Sequence, residues 1–133
     1  MNTDFRKTLL ERLQLALPSL LGIWLFGSHA QGTADAASDV DVAVLLPGRA
    51  DPASLWLLAQ DLARELDCDV DLVDLRAAAT VMQYQIVTTG ERLWQRDAQS
   101  ALYETYILSE KTALDDARAG LLADIHREGK VFR

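Results

Sequence analysis

Three short apolar runs restrict what this chain can fold into. Leu20–Phe26, Asp39–Leu46 and Asp69–Leu75 are each long enough for a strand and too short for an ordinary helix. Leu20–Phe26 is almost wholly apolar and ends at Gly27, which predicts a buried strand. Asp39–Leu46 opens with alternating acidic and apolar residues, which predicts a strand whose two faces differ; Pro47-Gly48 then turns the chain. Asp69–Leu75 alternates in the same way and predicts a third strand. Between them lie helical signals. In Asp4–Leu17, Phe5, Leu9, Leu10, Leu13 and Leu17 recur at helical spacing until Pro18 stops the run. Asp51-Pro52 supplies an N-cap and a first-turn proline for a helix to about Leu66. Ala77–Thr89 is expected to be helical up to Gly90, and Arg92–Trp94 a short fourth strand. A long helix follows from about Ala98 to His126, with Leu114, Ala117, Leu121 and Ile125 as its buried stripe and Gly129 just past its end. The expected fold is α+β (mixed α/β): a small mixed sheet flanked by helices, with a long C-terminal helix.

A chain of 133 residues is expected to form a single domain over residues 1–133, with a core that needs no covalent staple. The formal charge of −7 and pI near 4.7 repel phosphate backbones, and no basic stripe with interleaved aromatics offsets this, so direct nucleic-acid binding is not expected. A basic partner protein, or a divalent metal gathered by clustered acids, suits such a surface better. No apolar run approaches a membrane span, and Met1-Asn2-Thr3-Asp4 carries no signal-peptide pattern. Cys68 is the single cysteine, which excludes an internal disulfide and points to the cytoplasm; as a buried thiol it is expected to be inert.

The chemistry is concentrated in Gly27-Ser28, followed after a small polar segment with room for one helical turn (27–38) by Asp39-Val40-Asp41. Gly27 permits a sharp turn and close backbone approach to a ligand. Ser28 offers a hydroxyl and an N–H, both able to donate to phosphate oxygens. Asp39 and Asp41, two apart on a strand, share one side with Cα atoms roughly 6–7 Å apart. Two like charges so placed call for a cation, and Mg²⁺ takes oxygen ligands and completes its shell with water and phosphate. A third acid would complete a site for two ions about 3.5–4 Å apart. Asp69, Asp71 and Asp74 are the candidates. Asp71 is preferred for its mid-strand position between apolar neighbours. Asp74 falls on the other face by alternation, which leaves Asp69 as the competitor.

The run Gly27-Ser28-His29-Ala30-Gln31-Gly32 with Ser38-Asp39-Val40-Asp41-Val42-Ala43-Val44 resembles the nucleotidyltransferase fold shared with DNA polymerase beta. More narrowly, the chain is similar along nearly its whole length to the MNT proteins, the antitoxin halves of HEPN/MNT toxin–antitoxin pairs. The resemblance implies a Mg²⁺-dependent nucleotidyltransferase using ATP, with two ions. By it, Gly27 and Ser28 hold the triphosphate, Asp39 and Asp41 bind the metals, and Asp71 completes the triad and helps activate the acceptor hydroxyl. It also implies the acceptor, a tyrosine of a HEPN-type ribonuclease toxin that adenylylation silences. One departure is Gln31, where relatives often carry a basic residue. Two other readings keep part of the pattern: transfer to a hydroxyl of an aminoglycoside-like small molecule, and a binding-only antitoxin that occludes its toxin. The chain's size speaks against the first and its intact acids against the second.

His29 reads as an exposed loop histidine and His126 as a helix-capping cation. Trp24, Trp56 and Trp94 read as core residues, and Tyr103 and Tyr106 as packing residues of the last helix. Arg92, Arg96, Arg118, Arg127, Lys130 and Arg133 read as scattered solvated charges unless the fold gathers them.

Overall fold

Pro18 stops the first helix, α1 (Thr3–Ala16), and two turn residues later the chain enters the sheet. The structure, a computed structural model, describes residues 3–32 and 39–128, with side chains up to residue 123. After α1 come β1 (Gly22–Phe26), α2 (Ser28–Gln31), β2 (Val40–Leu45), α3 (Pro52–Leu66), β3 (Val70–Asp74), α4 (Thr80–Thr89), β4 (Glu91–Gln95) and α5 (Gln99–Glu128). The strands form one sheet in the order β3-β2-β1-β4. β1 is antiparallel to both neighbours, while β2 and β3 run parallel, joined by α3 as a crossover parallel strands require. This is the mixed sheet with flanking helices and long terminal helix expected from the sequence.

Period-two alternation divides the core between the sheet's faces. On one face, Ile23, Leu25, Val42 and Val44 pack with Leu9 and Leu13 of α1 and Leu55 and Leu62 of α3. On the other, Trp24, Ala43 and Leu45 pack with Leu75, Ile86 of α4 and Ile107 of α5. Asp41 belongs by alternation with Ala43 and Leu45, so it lies on the α4/α5 face at the strand's opening end. Asp51 caps α3, accepting from the backbone N–H of Ser54 at 3.2 Å, with Pro52 as the first helical residue.

Three expectations require correction. Helix α4 begins at Thr80, not Ala77, because the Asp74 carbonyl accepts the N–H groups of Ala77 and Ala78 and its carboxylate accepts that of Arg76, closing a turn first. Trp56 is 62% exposed: α3 buries Leu55, Ala59 and Leu62, and Trp56 stands about 100° round the helix from that line. The stripe assigned to α5 fails at Ala117 and Leu121. Among its described side chains Ser100 and Ile107 are buried, Leu114 is half-buried, Ala117 is exposed and Leu121 is 60% exposed; the side chain of Ile125 and the whole of Gly129 lie outside the described residues. A helix of 30 residues extends about 45 Å, whereas four strands span under about 20 Å, so its second half runs past the sheet.

The first half of α5 is fastened by polar contacts. Trp24 Nε1 donates to Glu104 Oε1 at 2.8 Å, Arg92 pairs with the same carboxylate at 3.3 Å, and Ser100 Oγ donates to the Leu21 carbonyl at 2.8 Å. Gly22 makes this closeness possible, since a Cβ there would collide with Ser100 Oγ and lie 2.8–2.9 Å from the Trp24 ring. Gly22→Ala should therefore cost about 1–3 kcal/mol in denaturant unfolding. Adding Ser100→Ala should recover only part of that loss, because the Trp24 contact remains.

Candidate active site

Gly27 leaves β1 in a conformation (φ 72°, ψ −152°) that L side chains rarely adopt, and it caps the single turn α2. A Cβ at this position would run into Asp41 Oδ2, so the Asp41 carboxylate rests directly against the Gly27 backbone. Two independent reasons thus require glycine at the junction. Ser28 and His29 follow on α2, both half-buried, and Gln31 N donates back to the Gly27 carbonyl at 3.2 Å.

Sheet register brings the acids to this turn. Asp41 pairs across β1 with Phe26, the residue before Gly27, and across β3 with Asp71. Cross-strand partners share a face, so Asp41 and Asp71 project to the same side. Asp39 lies exposed just ahead of β2. The Asp41 carboxyl is held above its ordinary value, first by burial and then by the charges of Asp71 and Asp39, while His29 pulls it back down. His29, expected as an exposed loop residue, is instead half-buried on α2 and close enough for its charge to act on Asp41.

The other carboxylates of this region are arranged differently. Asp74 lies on the opposite face, buried, where it accepts from Ala50 N at 2.7 Å and Arg76 N at 3.1 Å as a loop-fixing group. Asp69 is exposed ahead of β3, with its carbonyl accepting from Val40 N at 2.9 Å. It shares the Asp71 face but stands one strand repeat further from the Asp41 register position.

Among the described residues, no three His, Cys, Asp or Glu side chains close on a point tightly enough to hold an ion unaided. Mg²⁺ does not need such a cage, because it binds through one or two carboxylates with phosphate and water completing the octahedron. A half-buried carboxylate made costlier by two like charges is the kind of group such a cation stabilises. The donor set therefore suits a metal–triphosphate pair better than a metal bound alone.

Beside Gly27 and Gln31 opens a cavity of about 230 Å³ lined by Phe26, Met82, Gln85, Ile86 and Thr89. The α4 residues here were not singled out from the sequence, since nothing in their spacing sets them apart from core and surface positions. Of the basic residues, Arg92 is committed to Glu104, and Arg96 donates to the carbonyls of Leu20 and Pro18 at 2.9 and 2.6 Å. The side chains of His126, Arg127, Lys130 and Arg133 lie outside the described residues. Cys68 is half-buried, its thiol pushed up by burial and by Asp69 and Asp67, which keeps it protonated and unreactive.

The raised Asp41 carboxyl has a consequence for stability. A carboxyl that holds its proton more tightly when folded makes the protein lose stability as pH rises from about 3.8 through the folded value, and that loss persists above it. Without metal at pH 7, Asp41→Asn should melt at or above the parent's temperature. The advantage should shrink as pH falls toward 4, and matched thermal scans at several pH values would reveal a variant that melts lower throughout.

Comparison with known proteins shows the family of the chain. The family described as polymerase beta nucleotidyltransferase matches residues 8–99. Protein adenylyltransferase MntA of Shewanella oneidensis is 42% identical over 119 residues, covering 84% of this chain and 86% of the relative. A toxin–antitoxin crystal structure with AMP-PNP superposes with a TM-score of 0.81 at 40% identity, covering 91% of this chain and 98% of its own. A structure of a tri-AMPylated Shewanella oneidensis HEPN toxin in complex with MNT antitoxin gives a TM-score of 0.78 at 36% identity, covering 95% and 99%. The chain belongs to the polymerase beta nucleotidyltransferase family.

Proposed function

We propose that this protein transfers AMP from ATP to a tyrosine hydroxyl of a HEPN-type ribonuclease toxin and so acts as its antitoxin. The observation that carries this reading is the in-register pair Asp41–Asp71 set against the Gly27 turn, in a chain whose relatives include an MNT antitoxin bound to an AMPylated HEPN toxin. The Gly27 backbone and Ser28 would hold the triphosphate, and Asp39, Asp41 and Asp71 the metal ions. Mg²⁺, when bound, would screen the acids from one another and stabilise charge on the phosphates. The cavity between Gly27 and α4 would take the nucleoside. Asp71 is exposed and faces the same side as Asp41, so it would accept the tyrosine proton, directly or through a water. The tyrosine oxygen then bonds to the α-phosphorus as the bond to the β-phosphate oxygen breaks, and pyrophosphate leaves. This reading places the protein in the cytoplasm with its toxin; among the described residues, no helix is long and apolar enough to cross a membrane.

The test is incubation of the purified toxin with this protein, Mg²⁺ and each nucleoside triphosphate, followed by intact mass. One or more AMP-sized increments from ATP are expected, and none when Asp39→Asn or Asp41→Asn is used. If Asp39→Asn neutralises the toxin equally well at stoichiometric amounts, occlusion and not modification is the mechanism. Asp71→Asn should slow single-turnover transfer by about 10²–10⁴-fold while nucleotide affinity changes little. An inactive Asp69→Asn beside an active Asp71→Asn would transfer that role to Asp69. Mg²⁺ and ATP together should raise the melting temperature by more than the sum of their separate shifts, as a shared site requires.

A further inference from the structure

The cavity beside Gly27 has a lining with a chemistry of its own. Met82, Gln85, Ile86 and Thr89 reach it from α4, at the spacing that puts them on one helix face. Phe26 of β1 and Gln31 of α2 complete it. Phe26, Met82 and Ile86 belong to the apolar core cluster on this side of the sheet, so they give the cavity an apolar floor. Among the described residues, no charged side chain lines it. Thr89 is engaged elsewhere, its Oγ1 donating to the Gln85 carbonyl at 2.6 Å. The other glutamine of α4, Gln83, is buried and donates to the Leu75 carbonyl at 2.8 Å. Gln31 and Gln85 differ from it: both are exposed, and among the described residues neither carboxamide has a hydrogen-bond partner. The place matters as well. Phe26 is the β1 partner of Asp41 and Asp71 its β3 partner, so the cavity and Asp71 flank Asp41 on opposite sides.

We propose that Gln31 and Gln85 are the residues that select adenine as the base of the donor nucleotide. This rests on the transfer reading given above, which puts the triphosphate at Gly27 and Ser28 and the nucleoside in this cavity. A carboxamide presents one acceptor and one donor group side by side in a plane. Adenine carries its amino group between two ring acceptors, N1 and N7, and is the one base of the four to do so. Two carboxamides approaching from different elements, α2 and α4, can each accept from that amino group and donate to the ring nitrogen on their own side. In guanine the same position is a carbonyl, O6, with N7 on one side and N1–H on the other. The carboxamide on the N7 side then faces two acceptors with only one donor group. Cytosine and uracil place a C–H on one side, which leaves one carboxamide unpaired. A site built on such pairs rejects the base that cannot complete them, because its polar groups lose water without gaining a partner. The apolar floor accepts the face of any base and contributes affinity without choosing among them.

Calorimetric titration of the full-length protein in Mg²⁺ with non-hydrolysable ATP and GTP analogues reads the selection without the toxin. The parent should bind the ATP analogue about tenfold or more tightly than the GTP analogue. Gln31→Leu and Gln85→Leu, both at exposed positions, should each weaken the ATP analogue by about three- to tenfold and leave the GTP analogue nearly unchanged. A guanidinium donates to O6 and N7 together, so at least one of Gln31→Arg and Gln85→Arg should turn the preference toward GTP, a change that a merely structural role would not produce. A parent that binds both analogues equally, or an ATP-to-GTP ratio that stays at the parent level in all four variants, overturns the assignment. The transfer reading then still stands or falls by the mass increment on the toxin. A parent that selects ATP through these glutamines yet leaves the toxin unmodified supports the assignment and removes the transfer reading.

Discussion

The close seat of the Asp41 carboxylate on the Gly27 backbone organises the rest of this molecule. A half-buried acid at the start of a strand, with Asp39 before it and Asp71 beside it, is an unfavourable arrangement taken alone. It persists because the structure fixes it from both sides: Phe26 of β1 with Gly27 just past it, and Asp71 on β3. Replacing that glycine would add a collision with Oδ2 to a backbone conformation side chains rarely adopt. The fold holds like charges together with His29 as a partial counterweight, an arrangement that a bound cation and its ligand would relieve further, as electrostatic preorganisation requires of a site before substrate arrives.

Topology explains why so small a chain can do this. A central antiparallel β1–β2 pair brings the Gly27 turn and the acidic strand to the same end of the sheet, and the parallel β2–β3 pair sets a third acid level with the second. α1 and α3 fill one face, leaving the other to α4 and the first half of α5. Site and core are then products of the same alternation: on β2, Val40, Val42 and Val44 face inward to α1 and α3 while Asp41 faces the other way.

Much of this was legible from residue order. Strand alternation and the Asp51-Pro52 cap predicted the core elements to within a few residues, and alternation separated Asp71 from Asp74. What resisted sequence reading depended on distance along or around an element. Trp56 and Leu121 have the right residue type for burial, yet one stands off the buried line of α3 and the other beyond the reach of the sheet. The α4 start was obscured because Asp74 uses its own carboxylate and carbonyl to close a turn, which helix periodicity does not register. His29 was expected to be exposed for a similar reason: the Asp41 charge on which it acts is brought near α2 only once β1 and β2 pair.

The claim at the centre of this account is that Asp39 and Asp41, set against Gly27, hold a metal–triphosphate pair. Crystals grown with Mn²⁺ in place of Mg²⁺ and a non-hydrolysable ATP analogue would locate the metal by its anomalous scattering. The account predicts a peak bridging the Asp41 carboxylate and the phosphates, with Asp39 drawn in as a second ligand and the triphosphate against Gly27 and Ser28. A peak lying elsewhere, or a triphosphate bound away from that turn with Asp39 and Asp41 uncoordinated, would contradict it.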